Sequence, residues 1–325
     1  MEGTVVKLDR GFPLVRCDDG TSVRCEHATA LVKGERLRAV IGDRVIVSMP
    51  EGHDKGIIDG ILPRRSSFVR KDPADRTSHQ VLAANFELVI IAEPIVQLNR
   101  RRLERELVLA HETGARVAVV LTKADLAGLD EAEAVRREVA DLAGRSVRVL
   151  VASIGDAPSI ERVRALLSEG EVAILIGKSG VGKSSLVNML AGGEVQDVGE
   201  VRSFDGKGRH TTVDRVMVDI PGGGRVVDMP GVRGLGLWDA DAGLGVAFAD
   251  VEELAASCRF RDCKHADEPG CAVQAAVKSG DLAQARLDSY RSFGAELESV
   301  RTRRDEARHM RGEKASDRRR KKKGR

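Results

Sequence analysis

The segment Gly177-Lys178-Ser179-Gly180-Val181-Gly182-Lys183-Ser184 sets glycines, a lysine and a hydroxyl at a spacing that suits polyphosphate chemistry. Small residues let successive backbone N–H groups curl around a β-phosphate at a helix N-terminus, where the helix dipole favours negative charge. Lys183 is then placed to reach the β- and γ-phosphates and to act in catalysis. The Ser184 hydroxyl is placed to ligate Mg²⁺, and Ser185 follows it in the first helical turn. The flanks agree with this reading: apolar Val172 to Ile176 reads as a strand, and Ser185 to Leu190 as a helix.

Two further motifs complete a nucleotide site. Asp228-Met229-Pro230-Gly231 ends a short β-like run; its carboxylate can hold Mg²⁺ through water, and the Gly231 N–H can sense a γ-phosphate. Thr122-Lys123-Ala124-Asp125 follows apolar Val117 to Leu121 and resembles the guanine-reading Asn-Lys-x-Asp motif. Asp125 can accept two hydrogen bonds from guanine N1 and N2, which adenine cannot offer, so an ATP-dependent enzyme is disfavoured. Lys123 can lie along the base plane. Thr122 replaces the usual Asn and is expected to forgo the hydrogen bond that Asn makes toward the P-loop and base. Ala152-Ser153, after Val147 to Val151, stands where a backbone N–H would meet guanine O6.

A second constellation, Cys258-x4-Cys263-x-His265-x5-Cys271, offers three thiolates and one imidazole, a complete tetrahedral set for one structural Zn²⁺ with no open position for catalysis. Cys17 and Cys25 stand apart from it. A cysteine cluster in a reducing compartment reads as metal rather than disulfide.

These motifs need elements to hold them. Apolar runs Leu88 to Ala92, Val117 to Leu121, Val147 to Val151 and Val172 to Ile176 alternate with helical stretches Arg101 to Glu112, Asp130 to Leu142 and Ile160 to Leu167. That alternation predicts a parallel sheet with crossover helices. β-like runs at Val213 to Asp219 and Arg225 to Asp228 extend it, and Ala247 to Arg308 is helical in character. The first 62 residues hold short β-branched runs broken by Gly-containing turns, which predicts a small OB-like β-barrel. Phe12 is its only aromatic, and its nine basic and ten acidic residues nearly cancel, so any nucleic-acid grip there is weak or shape-based.

The chain is therefore read as multidomain: an OB-like β-barrel (1–62), a basic linker (63–77), an α/β P-loop domain (78–245), an α-helical zinc-binding domain (246–300) and a basic, disordered tail (301–325). Hydrophobic residues are 42% and charged residues 32% of the 325, a globular composition without a membrane-length apolar run or a secretory signal. A soluble, monomeric, cytoplasmic protein with no membrane partner is expected. Net charge is only +3, but residues 301–325 carry thirteen Lys/Arg against four Asp/Glu. Such a tail is either a solvated end or an arm for a polyanion.

The base-reading motif precedes the P-loop, whereas an ordinary GTPase has it well after; the motif order is circularly permuted. In this order, with the barrel before it and the cysteine cluster behind, the chain resembles the ribosome small-subunit-dependent GTPase A family (RsgA, also called YjeQ) over nearly its whole length except the tail. Glu268-Pro269-Gly270-Cys271 is similar to that family's zinc knuckle. Gly208-Arg209-His210-Thr211-Thr212 resembles its switch segment, which supplies a threonine, Thr211 or Thr212, to Mg²⁺. The resemblance implies a GTP/GDP- and Mg²⁺-binding hydrolase that binds the small ribosomal subunit and its RNA late in assembly and is stimulated by it. The alternative is a GTP-switched RNA-binding protein unconnected with ribosomes. Val232 follows Gly231 where Ras-like GTPases carry a water-orienting Gln, and the resemblance points to His210 for that task, with Thr212 beside it.

Overall fold

The computed structural model describes residues 1–9, 12–34, 37–72, 78–195, 215–229 and 236–323. Two compact units divide them, one from residues 1–68 and 81–233, the other from 69–80 and 234–325.

The first unit opens with five strands: β1 (Glu2–Asp9), β2 (Phe12–Cys17), β3 (Ser22–His27), β4 (Arg44–Ser48) and β5 (Gly56–Ile61). Their order is β1-β2-β3-β5-β4, and a further β1–β4 pairing closes the ring. β3 and β5 are parallel and the other pairs antiparallel. Alternate residues of these strands, among them Val5, Val15, Val45, Val47 and Ile58, fill the barrel, together with Cys17 and Cys25. The OB-like expectation holds. At the turn before β4, Gly42 has φ +86, and a Cβ there would lie 2.0 Å from the Ala84 carbonyl, so only glycine fits.

After β6 (Ser67–Lys71) and β7 (His79–Ala84), which pair as a two-stranded ribbon, the α/β part begins. It comprises β8 (Leu88–Pro94), α1 (Arg100–Glu112), β9 (Arg116–Thr122), α2 (Leu129–Ala143), β10 (Arg148–Val151), α3 (Ala157–Arg164), β11 (Val172–Ile176), α4 (Lys183–Ala191), β12 (Arg215–Asp219) and β13 (Arg225–Asp228). The order β10-β9-β8-β11-β13 is parallel throughout, with β12 antiparallel at its end. β8 and β11 are buried almost end to end because helices cover both faces. Strand ends and helix N-termini are thereby brought to one edge, where ligands of open α/β sheets bind.

Barrel and α/β sheet are one continuous structure. β1 pairs antiparallel with β12, Lys7 opposite Val216 and Leu8 opposite Arg215, and Arg16 forms a forked pair with Asp219 at 3.2 and 3.1 Å.

The second unit contains α5 (Asp241–Ala247), α6 (Ala249–Ala255), α7 (Ala272–Ser279) and α8 (Gln284–Lys323). Phe248, Val251, Val273, Leu287, Phe293 and Leu297 are its buried core, with the Phe248 and Phe293 rings 5.9 Å apart.

Two expectations are corrected. Within the 63–77 linker, Ser67–Lys71 is a strand, because Phe68 buries fully and anchors it despite the basic neighbours. The tail expected to be disordered is helical as far as Lys323: α8 runs without a break, its Arg, Lys, Glu and Ala content favours helix, and no proline interrupts it. No described helix is long and apolar enough to cross a membrane.

Candidate nucleotide site and metal centre

β11 ends at Ile176 and α4 begins at Lys183, so the loop between them lies at the sheet edge with the helix N-terminus behind it. Its path requires glycine: Gly177 has φ +141, and a Cβ there would sit 2.3 Å from the Ala92 carbonyl of β8. Gly182, at the helix N-cap, has φ +100. Lys183 folds back over this loop, its Nζ donating to the carbonyls of Gly177 at 2.9 Å and Lys178 at 3.0 Å. Burial lowers the Lys183 pKa from its usual value, and the negative charge of Asp228 opposes that shift. A polyphosphate replacing those carbonyls would restore the ammonium's favourable partner.

β13 delivers Asp228 to the same edge. Ser184 Oγ donates to Asp228 Oδ2 at 3.0 Å, while Asp228 Oδ1 is buried without a hydrogen-bond partner. Burial raises the Asp228 pKa, countered by Lys183 and the Ser184 hydrogen bond. An unsatisfied buried carboxylate oxygen beside a serine hydroxyl fits an Mg²⁺ position, which would supply the missing positive charge. Gly231, His210, Thr211 and Thr212 lie outside the described residues.

The base-reading motif leaves β9 next to the loop. Lys123, at φ 58, turns the chain so that its Nζ donates to the Gly180 carbonyl at 2.8 Å. Thr122 Oγ1 donates to the Val181 carbonyl at 2.6 Å and lies 3.3 Å from that of Glu93. The expectation that Thr122 forgoes the P-loop hydrogen bond is thus corrected: the hydroxyl reaches the loop from where the longer amide would stand. Asp125 is exposed, and its Oδ1 accepts from Ser153 Oγ at 3.0 Å, which orients the carboxylate. The Ala124 N–H donates to the Ala152 carbonyl at 3.3 Å, bringing the second loop alongside. Thr122, Lys123, Asp125, Ala152 and Ser153 therefore converge, and Gly180 and Val181 tie them to the phosphate loop. The sequence motifs do not include Glu93 and Glu106, two carboxyl groups buried beside this loop. Glu106 was detectable because it shares a helix face with Leu103, Leu107 and Ala110, where only apolar residues belong.

In the second unit, Cys258, Cys263, His265 and Cys271 bring their ligand atoms within 4.8 Å of one another. His265 Nδ1 lies 3.6 Å from both Cys258 Sγ and Cys271 Sγ, and those two sulfurs are 3.9 Å apart. Ordinary Zn–S and Zn–N bonds in a tetrahedron give edges of about 3.8 Å and about 3.6 Å, so the four residues fit one zinc ion. The loop is held independently: Glu268 accepts from the backbone N–H groups of Lys264 and Ala266, and Gln274 Nε2 donates to the His265 carbonyl.

A phosphate loop after one parallel strand, a carboxylate from its neighbour and a guanine-reading motif that precedes both in sequence define a circularly permuted P-loop GTPase. A family model described as RsgA GTPase matches residues 61–238. The small ribosomal subunit biogenesis GTPase RsgA of Streptomyces avermitilis is 42% identical over 306 residues, covering 92% of this chain and 80% of that protein. Its namesake from Streptomyces coelicolor is 42% identical over 302 residues, covering 92% and 81%. Among solved structures, YjeQ from Thermotoga maritima is similar with a TM-score of 0.65 and 26% identity, covering 91% of this chain and 98% of that one. YloQ, described as a circularly permuted GTPase, shares the fold with a TM-score of 0.62 and 24% identity, covering 92% and 95%. The chain belongs to the RsgA GTPase family.

Proposed function

We propose that this GTPase acts on the small ribosomal subunit during its maturation, hydrolysing GTP to GDP and phosphate at the loop 177–184 with Mg²⁺ and leaving the subunit afterwards. The observation that carries the nucleotide reading is the pairing of Ser184 with Asp228 at 3.0 Å beside a loop to which Thr122 and Lys123 are hydrogen-bonded. Phosphate, metal and base sites are thereby one assembly. The relatives' names, which specify small-subunit biogenesis, support the partner.

Roles follow residue by residue. Lys178, Ser179, Gly180, Val181 and Gly182 wrap the phosphates with their backbone, Lys183 neutralises them, and Ser184 with Asp228 holds Mg²⁺. Asp125 reads guanine. His210 orients the attacking water, and Thr211 or Thr212 completes the Mg²⁺ shell. The subunit's RNA is the surface that the basic end of α8 meets. The protein works as a cytoplasmic monomer. The experiment that tests this is GTP turnover by the full chain with and without purified small subunits. Stimulation by the subunit is expected. Turnover that ignores the subunit would favour a GTP-switched RNA-binding protein unconnected with ribosomes.

A further inference from the structure

Two glutamates with no part in the roles above lie against the phosphate loop. Glu93, near the end of β8, is 1% exposed, and Glu106, in the middle of α1, is 2% exposed. One oxygen of each, Glu93 Oε1 and Glu106 Oε2, is buried without a hydrogen-bond partner. The two carboxyl groups lie within hydrogen-bond reach of each other. Carboxyl groups that close hydrogen-bond only with a proton between them, because two carboxylates have no donor.

The pair's surroundings tie it to the loop. The Glu93 carbonyl faces the Thr122 hydroxyl, and the Ala92 carbonyl is the group that forbids a side chain at Gly177. The charged groups facing the pair are Arg102 from its own helix, Lys178 from the loop and Lys183 from α4. Burial pushes both carboxyl groups above the ordinary glutamate range, and for Glu106 the charge of Glu93 adds to it. Arg102 and the lysines work against full protonation. One shared proton and one negative charge is the state that satisfies both tendencies.

We propose that Glu93 and Glu106 are a proton-sharing positioning pair, which holds one negative charge beside Lys178 and Lys183 before nucleotide binds and takes up a second proton when the polyphosphate arrives. The inference rests on the reading of the 177–184 loop as a GTP/GDP site. The phosphates bring several negative charges to the same lysines, in a buried setting where like charges repel strongly. The lysines then serve the phosphates, and the pair is left with an uncompensated charge. Protonation from solvent removes it, converting one carboxylate to a second carboxylic acid with no other bond changed. Proton uptake on binding means that affinity rises as pH falls, by up to about tenfold per pH unit for one full proton.

The test is calorimetry of GDP binding to the full chain with Mg²⁺, in two buffers of different ionisation enthalpy, for the native protein and for the double variant Glu93→Gln/Glu106→Gln. Glutamine imitates the protonated acid, and the nucleotide's own ionisation cancels in the comparison. The native protein should take up close to one proton more than the double variant, whose affinity should follow pH less steeply. Equal proton counts in the two proteins would overturn the pair while leaving the nucleotide site standing. No GDP binding by the native protein would overturn the site reading and the pair together. An infrared difference spectrum of the native protein needs no variant: GDP should bring in a protonated-carboxyl band that shifts in D₂O. Absence of that band would likewise overturn the proposal.

Discussion

Thr122 Oγ1 donates to the main-chain carbonyl of Val181 at 2.6 Å, joining the end of the base-reading strand to the phosphate loop. Both residues are buried, so the hydrogen bond has no water to compete with it. Thr122→Val keeps the shape and removes the donor, leaving a buried carbonyl short of its partner at a cost of about 1–2 kcal/mol. GDP affinity should fall roughly tenfold. Thr122→Asn, which restores the commoner residue, should bind GDP within a few-fold of native. Unchanged GDP affinity and melting temperature in Thr122→Val would show that this hydrogen bond does not organise the site.

The proposed guanine selectivity rests on Asp125, whose carboxylate is oriented by the Ser153 hydroxyl at 3.0 Å. Asp125→Asn should weaken GDP binding on the order of a hundredfold, since two charge-assisted hydrogen bonds are removed. The same variant should prefer xanthosine diphosphate, whose C2 oxygen needs a donor. Competition binding measures both effects. Equal affinity of the native protein for GDP and ADP would refute the assignment.

The cysteine cluster predicts about one zinc per chain by metal analysis. Cys271→Ser should lose the metal and, because metal binding and folding are coupled, much of the helical signal of the second unit, even though serine can still cap α7 by accepting from the Gln274 N–H. GDP binding should survive, since its residues lie in the other unit. A metal-free native protein with an intact helical signal is the contrary result.

How far these sites were legible depends on how local their signals are. The phosphate loop and the zinc ligands lie within eight and fourteen residues, so spacing alone carries them. The parallel strands announce themselves as unbroken apolar runs. Phe68 could not announce a strand from inside a basic segment, because a single buried aromatic makes no periodic pattern. Glu93 and Glu106 meet only through the packing of α1 on β8, and Thr122 reaches Val181 across fifty-nine residues. Pairing of β1 with β12 joins positions some two hundred residues apart, which no local pattern encodes.

The basic end of α8 should make subunit binding steeply salt-dependent. Residues 311–325 carry nine Lys/Arg and two Asp/Glu. Ending the chain at Met310 keeps Arg304, which stacks on Trp238 with its guanidinium 4.8 Å from the ring centre, so the fold of the second unit should persist. Removing a side chain that pairs with an RNA phosphate should lower the log–log salt slope by up to about 0.9 in magnitude for each such pair. An unchanged slope and affinity would make the end of α8 a solvated helix without a ribosomal role.

The Val232 side chain can neither donate nor accept a hydrogen bond, so it cannot orient the nucleophile as a glutamine side chain would. Intrinsic turnover should therefore be slow, and another group must act. His210 adjoins Thr211 and Thr212, the candidate Mg²⁺ ligands, in a segment containing Gly199, Gly206 and Gly208. Under the proposed function the subunit stimulates hydrolysis while this chain supplies the catalytic group. An imidazole nitrogen can accept a proton from water or hold it in line with the γ-phosphate, an effect typically of about 10²–10⁴-fold. His210→Ala should keep GTP affinity and subunit binding close to native while removing most of the subunit-stimulated rate. Single-turnover hydrolysis on saturating subunits separates chemistry from binding and product release. Stimulated hydrolysis near the native rate in that variant would remove His210 from the mechanism and leave the water to be oriented by the ribosome itself.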